Sequence, residues 1–339
     1  MKAAVVTRFG PPDVLQIQER QTPVPRDEEV LVKVKAIGLN FADVMARIGV
    51  YPSVPEPPFV PGIEFSGVVT AIGNSVHDVK KGDRVWGFSK QGAYAEFVCV
   101  PSTMVQILPK KLDFQHAVAI GVTYLTAYHA LVTLANTRKK ERVLIHAAAG
   151  GVGIAALQIA KYLHAETFAT VGSVEKMDTA REHGANFVIN YSQDKFAEII
   201  RKETDGEGVD VILDSVGGRV MREGWKLLAP MGRYVLFGFA SVTGVHGINK
   251  FKAAREVLAV PIIFPSTLPS KNLGLFGFNL YFLAHKTAYF HEVWSKIMEW
   301  HTKGIINPVI GKVFTFDRIA EAQAFLQSRK SIGKVVITL

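Results

Sequence analysis

Residues 142–160 read RVLIHAAAGGVGIAALQIA, and this stretch decides the fold of the chain. Its first four residues form an apolar run of strand type, and its last seven repeat apolar side chains at helical spacing. A strand, a glycine turn and a helix in this order predict a dinucleotide-binding turn. Gly150 would let the backbone approach a pyrophosphate, and Gly153 would let the helix pack close to the strand. Ala148 replaces the first glycine of the usual pattern, so a tight structural turn without a ligand is the alternative.

The composition is that of a well-packed globular chain with an excess of positive charge. The 339 residues predict roughly two domains, and 48% hydrophobic with 20% charged residues argues against disorder. The formal net charge is +9, but the lysines and arginines are dispersed and the densest run is only 138–140. We attribute the excess to solvated surface and to attraction of an anionic cofactor. Nucleic-acid binding is the minor alternative.

The single cysteine, Cys99, limits both the chemistry and the expected location of the protein. One cysteine excludes an internal disulfide and any structural zinc site built from cysteines, and it suits a reducing cytoplasm. Cys99 lies in the strand-like segment 95–100, which predicts a buried, inert thiol. No signal peptide is expected, and the apolar stretch 257–264, broken by Pro261, is too short to span a bilayer.

The order of predicted elements indicates two kinds of structure along the chain. Residues 1–118 carry short strand-like runs separated by glycine and proline, which predicts a small, barrel-like β domain. From residue 114 onward helices alternate with strands, which predicts a parallel, doubly wound sheet. The predicted strands are 2–6, 29–36, 142–145, 167–171, 187–190, 209–214, 233–237, an edge strand at 272–282 and a closing strand at 334–338; the predicted helices are 121–134, 175–183, 196–203, 221–228, 284–303 and 316–328.

Motifs spread along the chain carry a resemblance to a known family. They are GLNFAD at 38–43, PGIEFSGVV at 61–69, KGDRV at 81–85, AAAGGVG at 147–153, DSVGG at 214–218 and GKVV at 333–336. Together they resemble the zinc-free quinone oxidoreductase (zeta-crystallin-like) group of the medium-chain dehydrogenase/reductase superfamily, over essentially the whole chain. Residues 40–47 and the apolar segment 256–283 look closest to the VAT-1-like subgroup of that group.

The resemblance implies the fold class and the assembly. The expected α/β architecture is a GroES-like, β-barrel-type catalytic domain at 1–122 and 267–339, with a Rossmann doubly wound parallel sheet at 123–266 that binds NADPH. A homodimer formed through the edge strand 272–282 is also implied. We expect the apolar residues 257–268 to form this dimer edge and a wall of the substrate pocket, and contact with a membrane surface is the less favoured alternative.

A metal site is not expected in this chain. Zinc-dependent relatives carry a cysteine and a Gly-His-Glu motif where this sequence has Asn40 and Gly62-Ile63-Glu64. A catalytic zinc ion needs about three nitrogen or sulfur ligands and an open position. The ten histidines are scattered and none forms a His-x-x-x-His pair.

The end of the second predicted Rossmann strand favours NADPH over NADH. NAD-preferring proteins usually carry an acidic residue at this strand end to hold the ribose hydroxyls. Here Gly172 and Ser173 leave room for a 2′-phosphate, and Lys176 offers it positive charge, whereas Glu175 lies on the following helix. The resemblance adds a phosphate contact from Tyr191. The alternative is that Lys176 and Tyr191 are ordinary surface and packing residues.

The resemblance also implies the remaining cofactor contacts. The glycine turn would contribute Ala149, Gly150, Gly151 and Val152, and the nicotinamide end would be held by Asn40, Thr126, Phe237, Gly238, Ser241 and either Arg329 or Lys334. A turn-forming role for Asn40, a core position for Phe237 and solvated charge for Arg329 and Lys334 are the alternatives.

The residues that are missing restrict the reaction. The sequence has no Ser-Tyr-x-x-x-Lys couple and no nucleophile with an evident base. Hydride transfer needs a held cofactor and an electrophilic acceptor, and quinones and enones accept a hydride without a Lewis acid. We therefore expect an NADPH-dependent quinone or enone reductase. The resemblance implies that Asn40 and Tyr51 lie at the reacting centre and that Tyr51 donates a hydrogen bond to the acceptor oxygen; the alternative is that Tyr51 only packs there. The alternative function is a non-catalytic, membrane-associated NADPH-binding protein of the VAT-1 kind.

Overall fold

The computed structural model describes residues 1–243 and 250–339, apart from the side chains of Lys250 and Lys252. The strands are β1 (Lys2–Val6), β2 (Leu15–Glu19), β3 (Glu29–Gly38), β4 (Glu64–Ile72), β5 (Arg84–Phe88), β6 (Phe97–Pro101), β7 (Val105–Ile107), β8 (Arg142–Ile145), β9 (Glu166–Val171), β10 (Phe187–Asn190), β11 (Val209–Asp214), β12 (Leu228–Leu236), β13 (Gly274–Gly277), β14 (Ile310–Thr315) and β15 (Lys334–Thr338). The helices are α1 (Phe41–Arg47), α2 (Phe114–Tyr128), α3 (Gly151–Tyr162), α4 (Glu175–Glu182), α5 (Phe196–Glu203), α6 (Arg219–Trp225), α7 (Lys250–Leu258), α8 (Thr267–Lys271), α9 (Leu280–Leu283), α10 (Thr287–Thr302) and α11 (Ile319–Gln327).

One sheet has the Rossmann arrangement that the sequence predicts. Its strands lie in the order β10-β9-β8-β11-β12-β13, and every neighbouring pair is parallel. The strand order reverses between β8 and β11, and ligands of such sheets bind in the crevice beyond the carboxyl ends of the strands at this point. The glycine turn leaves β8 there and opens into α3.

The second sheet confirms the predicted β domain and shows how the chain returns to it. Its order is β14-β15-β3-β4-β5-β7, with β6 also paired to β3, while β1 and β2 form a separate hairpin. The two final strands therefore join a sheet whose other strands come from the first 107 residues. Since β15 begins at Lys334, the C-terminal segment brings this lysine into the interior of the β domain.

A shared apolar core fixes the two sheets relative to each other. It contains residues of the β domain, of α2 and of the Rossmann sheet, and the rings of Trp86 and Trp294 stack across it at 4.7 Å. The segment Phe114–Leu134 is long and apolar enough to cross a membrane by length and composition, but 78% of it is buried. It is placed as the central helix of this core.

The helix expected at 121–134 begins earlier than its periodicity indicates. Asp113 caps α2 by accepting a hydrogen bond from the backbone N–H of His116 at 2.8 Å, and the helix therefore starts at Phe114. Residues 129–134 continue it as a π-helical turn. Cys99 lies in β6 as expected, but it is half-buried rather than buried; this partial burial still raises the pKa of its thiol to about 11.

The edge strand expected at 272–282 is wrong in its extent. The strand is only Gly274–Gly277, because Asn279 caps a following helical turn, Leu280–Leu283, by accepting a hydrogen bond from the backbone N–H of Tyr281. The strand pairs with β12 and so extends the Rossmann sheet past residue 267, where the second part of the catalytic domain was expected to start. The domain boundaries themselves stay a prediction.

Candidate active site

A cleft of about 830 Å³ runs between the two sheets and brings most of the expected site residues together. It is bounded by the glycine turn, by the carboxyl ends of the Rossmann strands and by α1 with the loop that follows it. The expected residues that line it are Asn40, Tyr51, Thr126, Ala149, Gly150, Gly151, Val152, Gly172, Lys176, Tyr191, Phe237, Gly238, Arg329 and Lys334.

Two expected residues, Ser173 and Ser241, do not line this cleft. Ser173 hydrogen-bonds the carboxylate of Glu175, and this contact holds the pKa of Glu175 below its usual value. The side chain of Ser241 is buried, and within residues 1–243 and 250–339 its hydroxyl has no hydrogen-bond partner. Cofactor contacts from these two hydroxyls remain predictions.

The glycine turn is tied to the β domain through the backbone. The N–H of Gly150 donates to the carbonyl of Ala147 at 3.0 Å, and the N–H of Gly333 donates to the carbonyl of Ala149 at 2.9 Å. A Cβ atom on Gly153 would lie 2.5 Å from backbone atoms of the turn, so only glycine permits this approach of helix and turn. The turn thus leaves the first N–H groups of α3 facing the cleft, where an anion is stabilised.

Two cations at the far end of the cleft, Lys176 and Arg329, form no salt bridge within the described residues. The ammonium of Lys176 donates to the carbonyl oxygen of Arg329 at 2.5 Å, and the guanidinium of Arg329 donates to the carbonyl oxygens of Ala240 and Thr243. Burial lowers the pKa of Lys176, and Glu175 opposes this shift. Carbonyl oxygens do not cancel a positive charge, so this end of the cleft is suited to an anionic group.

The opposite end contains a buried ion pair that holds Asn40. The ammonium of Lys334 donates to Glu64 Oε2 at 2.6 Å and to Asn40 Oδ1 at 2.8 Å, and the side chains of Lys334 and Glu64 are 3% and 0% exposed. Asn40 Nδ2 in turn donates to the carbonyl of Gly38 at 3.0 Å and to Glu64 Oε2 at 3.1 Å. The amide of Asn40 is therefore fixed, with both of its N–H groups already used.

The second oxygen of Glu64 is equally occupied. Oε1 accepts from Trp86 Nε1 at 3.0 Å and from the backbone N–H of Val122 at 2.7 Å. A Cβ atom on Gly121 would lie 2.3 Å from this oxygen, so a glycine in α2 is what permits the approach. Both oxygens of this buried carboxylate therefore have hydrogen-bond donors from the protein itself.

A second buried carboxylate, Asp43, supports the start of α1. Asp43 Oδ2 accepts from the backbone N–H of Asn40 at 2.9 Å and from the hydroxyl of Tyr94 at 3.1 Å. Burial raises the pKa of Asp43 to about 7, and the hydrogen bond from Asn40 is the largest effect that opposes this rise. Tyr94 also accepts from Gln323 of α11, so the Asn40 turn is connected to the C-terminal part of the chain.

Tyr51 meets a residue that sequence reasoning missed. Its hydroxyl donates to Asn279 Oδ1 at 2.9 Å, and its ring lies edge-on to Tyr281 at 5.8 Å. Burial raises the pKa of Tyr51 to about 12. The sequence marked Glu64 in a family motif and in a missing zinc motif, without a role of its own, and did not mark Asn279 as a site residue. The local signal for Asn279 is its position as a helix cap.

Within the described residues, no group of three or more His, Cys, Asp or Glu side chains is placed to hold a metal ion. His146, at the start of the glycine turn, pairs with Thr170 through Nδ1 at 2.9 Å, and burial lowers its pKa.

Comparisons with known proteins agree with this architecture. Residues 26–110 match the alcohol dehydrogenase GroES-like domain, and residues 183–337 match the zinc-binding dehydrogenase family. The chain is 35% identical to the synaptic vesicle membrane protein VAT-1 homolog of Rattus norvegicus, covering 99% of this chain and 84% of that protein. It is 33% identical to the quinone oxidoreductase of Sus scrofa, covering 100% and 98%.

Solved structures are similar over the full length. The Escherichia coli quinone oxidoreductase complexed with NADPH has a TM-score of 0.89 and 30% identity, and the match covers 100% of both chains. The human VAT-1 homolog-like protein has a TM-score of 0.86 and 30% identity, covering 100% of this chain and 98% of that one.

The buried pair Glu64–Lys334 makes a stability prediction. Lys334→Met leaves Glu64 buried without its cation, and we expect the free energy of unfolding to fall by about 3–5 kcal/mol. The double variant Glu64→Gln with Lys334→Met removes both charges and should recover most of this loss. Urea unfolding followed by tryptophan fluorescence measures both. A loss below about 1 kcal/mol in the single variant would contradict the role of the pair.

Proposed function

Because the chain belongs to the quinone oxidoreductase-like group of the medium-chain dehydrogenase/reductase superfamily, we propose that it is an NADPH-dependent reductase of quinones or enones that works without a metal ion. The observation that carries this proposal is that one continuous cleft holds both groups of expected residues. It joins an end suited to an anion, at the glycine turn and Lys176, to an end at Asn40 and Tyr51 where the charge of Lys334 is balanced by Glu64. We also propose a cytoplasmic location, on the basis of the single cysteine.

The residues present fit NADPH. The N–H groups at the start of α3, from Gly151 and Val152, suit the pyrophosphate, and the backbone of Ala149 and Gly150 lies beside them. Lys176 and Tyr191 suit the 2′-phosphate. Arg329, which was expected at the nicotinamide end, lies instead beside Lys176, and we assign it to the same phosphate. We assign the nicotinamide end to Asn40, Thr126, Phe237 and Gly238.

The reaction uses few protein groups. The reduced nicotinamide, when bound, supplies the hydride. The acceptor gains this hydride at carbon, its π electron pair moves to its oxygen, and that oxygen takes one proton from water. The described cleft contributes position and polarity to this reaction, since the proton comes from water and burial raises the pKa of Tyr51 to about 12.

Metal independence is supported by Glu64 itself. A zinc ion at the position of the Gly-His-Glu motif would have to displace the Lys334 ammonium and the other donors of Glu64. An acceptor that is already electrophilic does not need this Lewis acid, which restricts the substrates to conjugated carbonyl compounds.

The function is tested by NADPH consumption. Purified protein, treated with a chelator, should oxidise NADPH in the presence of 1,2- or 1,4-naphthoquinone or of a cyclic enone, and the rate should not change on adding zinc. Tight NADPH binding with no turnover of any of these acceptors would overturn the catalytic proposal.

Cofactor preference is tested at Lys176. Lys176→Ala removes a charge-assisted hydrogen bond of about 1.5–3 kcal/mol, and we expect the KM for NADPH to rise about 10- to 100-fold. The KM for NADH, which has no 2′-phosphate, should stay within about twofold on the same reasoning. The matched control is Lys195→Ala, which removes an exposed lysine that is paired with Glu198 outside the cleft. Equal changes in both KM values would contradict the assignment.

We also propose a homodimer through β13. This strand pairs with β12 on one side, and in the described parts of the chain no strand pairs with its other side. An unpaired edge strand is a template for pairing with a second chain. We expect Leu275→Lys, on an exposed position of β13, to convert the dimer to a monomer in sedimentation velocity experiments. Ile107→Lys, on β7 of the other sheet, should stay dimeric; a monomeric unmodified protein would overturn the proposal.

An exposed apolar surface favours a second candidate role, association with a membrane. Leu258 and Ile262 are each 84% exposed, and Phe264 lies beside them at 66%. This role predicts that the protein floats with anionic liposomes, given its net charge of +9, and that Leu258→Asn with Ile262→Asn abolishes flotation. Equal flotation of the double variant, or none by the unmodified protein, would exclude it. None of these three residues lines the cleft and the edge strand is Gly274–Gly277, so the expectation that residues 257–268 form the dimer edge and a wall of the pocket is wrong for them.

A further inference from the structure

The amide of Asn279 has a fixed orientation. Asn279 Oδ1 accepts from the backbone N–H of Tyr281 at 3.0 Å and from the hydroxyl of Tyr51 at 2.9 Å. A backbone N–H can only donate, so the atom that faces it must be the oxygen, and the NH₂ group occupies the other position. The hydrogen bond that caps the helical turn therefore determines which position of the amide is occupied by Oδ1 and which by the donor, Nδ2.

This orientation changes the role open to Tyr51. The hydroxyl proton of Tyr51 is directed at Asn279, so toward any other group in the cleft Tyr51 can only accept a hydrogen bond. Across residues 1–243 and 250–339, Nδ2 of Asn279 makes no hydrogen bond. This atom is not fully buried, and Asn279 lines the cleft. Two amide hydrogens are thus available there.

The surroundings suit a flat, conjugated acceptor. The rings of Tyr51 and Tyr281 lie edge-to-face, and Phe278 and Phe282 line the cleft on either side of Asn279 along the chain. Asn40 is not an alternative donor, because both of its N–H groups are used by Gly38 and Glu64.

Resting on the proposed function, we infer that Nδ2 of Asn279 donates the hydrogen bond to the carbonyl oxygen of the quinone or enone, and that Tyr51 is a positioning residue that holds this amide. When the acceptor gains hydride at carbon, negative charge moves to the oxygen. The hydrogen bond from a fixed neutral donor to this oxygen is then at its strongest, so it stabilises the transition state more than the bound substrate. Water then supplies the proton, so neither Asn279 nor Tyr51 changes its protonation state.

Asn279→Asp tests the inference by exchanging only the donor. The variant keeps an oxygen for the Tyr281 N–H and the Tyr51 hydroxyl, and replaces NH₂ by a charged oxygen. At pH 7.5 we expect kcat/KM for the acceptor to fall about 100-fold relative to the unmodified enzyme. As the pH falls through the pKa of the introduced carboxyl group, its O–H becomes a donor, and the ratio of variant to unmodified kcat/KM should recover at least tenfold. A purely structural role predicts no such recovery.

Tyr51→Phe is the matched comparison. It removes the hydroxyl but leaves the amide of Asn279 capped to Tyr281, so kcat/KM should fall less than about tenfold, the worth of one neutral hydrogen bond. A loss as large as that of Asn279→Asp, with no recovery of Asn279→Asp at low pH, would overturn the inference and make Tyr51 the donor.

A second readout does not depend on turnover. The carbonyl stretching band of a ¹³C-labelled cyclic enone, bound with the oxidised cofactor, should be shifted down by the hydrogen bond in the unmodified protein and in Tyr51→Phe. The shift should be lost in Asn279→Leu, while NADPH fluorescence shows unchanged cofactor binding. A retained shift would overturn the inference. Failure of the unmodified protein to reduce any quinone or enone is a separate result, which overturns the proposed function.

Discussion

The buried ion pair between Glu64 and Lys334 is the interaction on which the site depends. Removing two charges from water is costly, and this pair is retained in the folded chain because the carboxylate accepts from Asn40, Trp86 and the backbone of α2 as well as from Lys334. It joins β4 to the first residue of β15. The preceding residue, Gly333, is bonded to the glycine turn, so one short segment connects the β domain, the cofactor-binding turn and Asn40.

The Rossmann sheet could be predicted in detail because its signals are local. The strand, turn and helix at 142–160 follow each other in the sequence, and each later strand is a short apolar run separated from the next by a helical period. The run at 272–282 is the exception. Its apolar residues do not distinguish a strand from a helical turn, and what ends the strand is the side-chain cap formed by Asn279. The start of α2 at Asp113 was missed for the same reason.

The site was predictable where parallel strands bring their carboxyl ends together, and much less so where distant side chains pair. Gly172, Tyr191 and Phe237 follow three strands of one sheet, so their approach follows from the topology. Glu64 meets Lys334 across 270 positions, and Tyr51 meets Asn279 across 228. The hydrophobic periodicity of the sequence does not indicate contacts between residues so far apart. Tyr51 could be named from the resemblance, but the direction of its hydroxyl proton depends on a residue that only the folded chain places beside it.

The distribution of charge along the cleft separates the roles of three cations that look alike in the sequence. Lys176 and Arg329 donate to carbonyl oxygens and keep their positive charge available to a ligand. The charge of Lys334 is balanced by the buried carboxylate of Glu64, and its ammonium also holds the amide of Asn40. Among the described residues, positive charge without a salt-bridge partner therefore lies at one end of the cleft, and at the end that contains Asn40, Tyr51 and Asn279 the charge of Lys334 is balanced. A neutral carbonyl acceptor loses little solvation on entering such a site, whereas a carboxylate substrate would be desolvated there without a counter-charge.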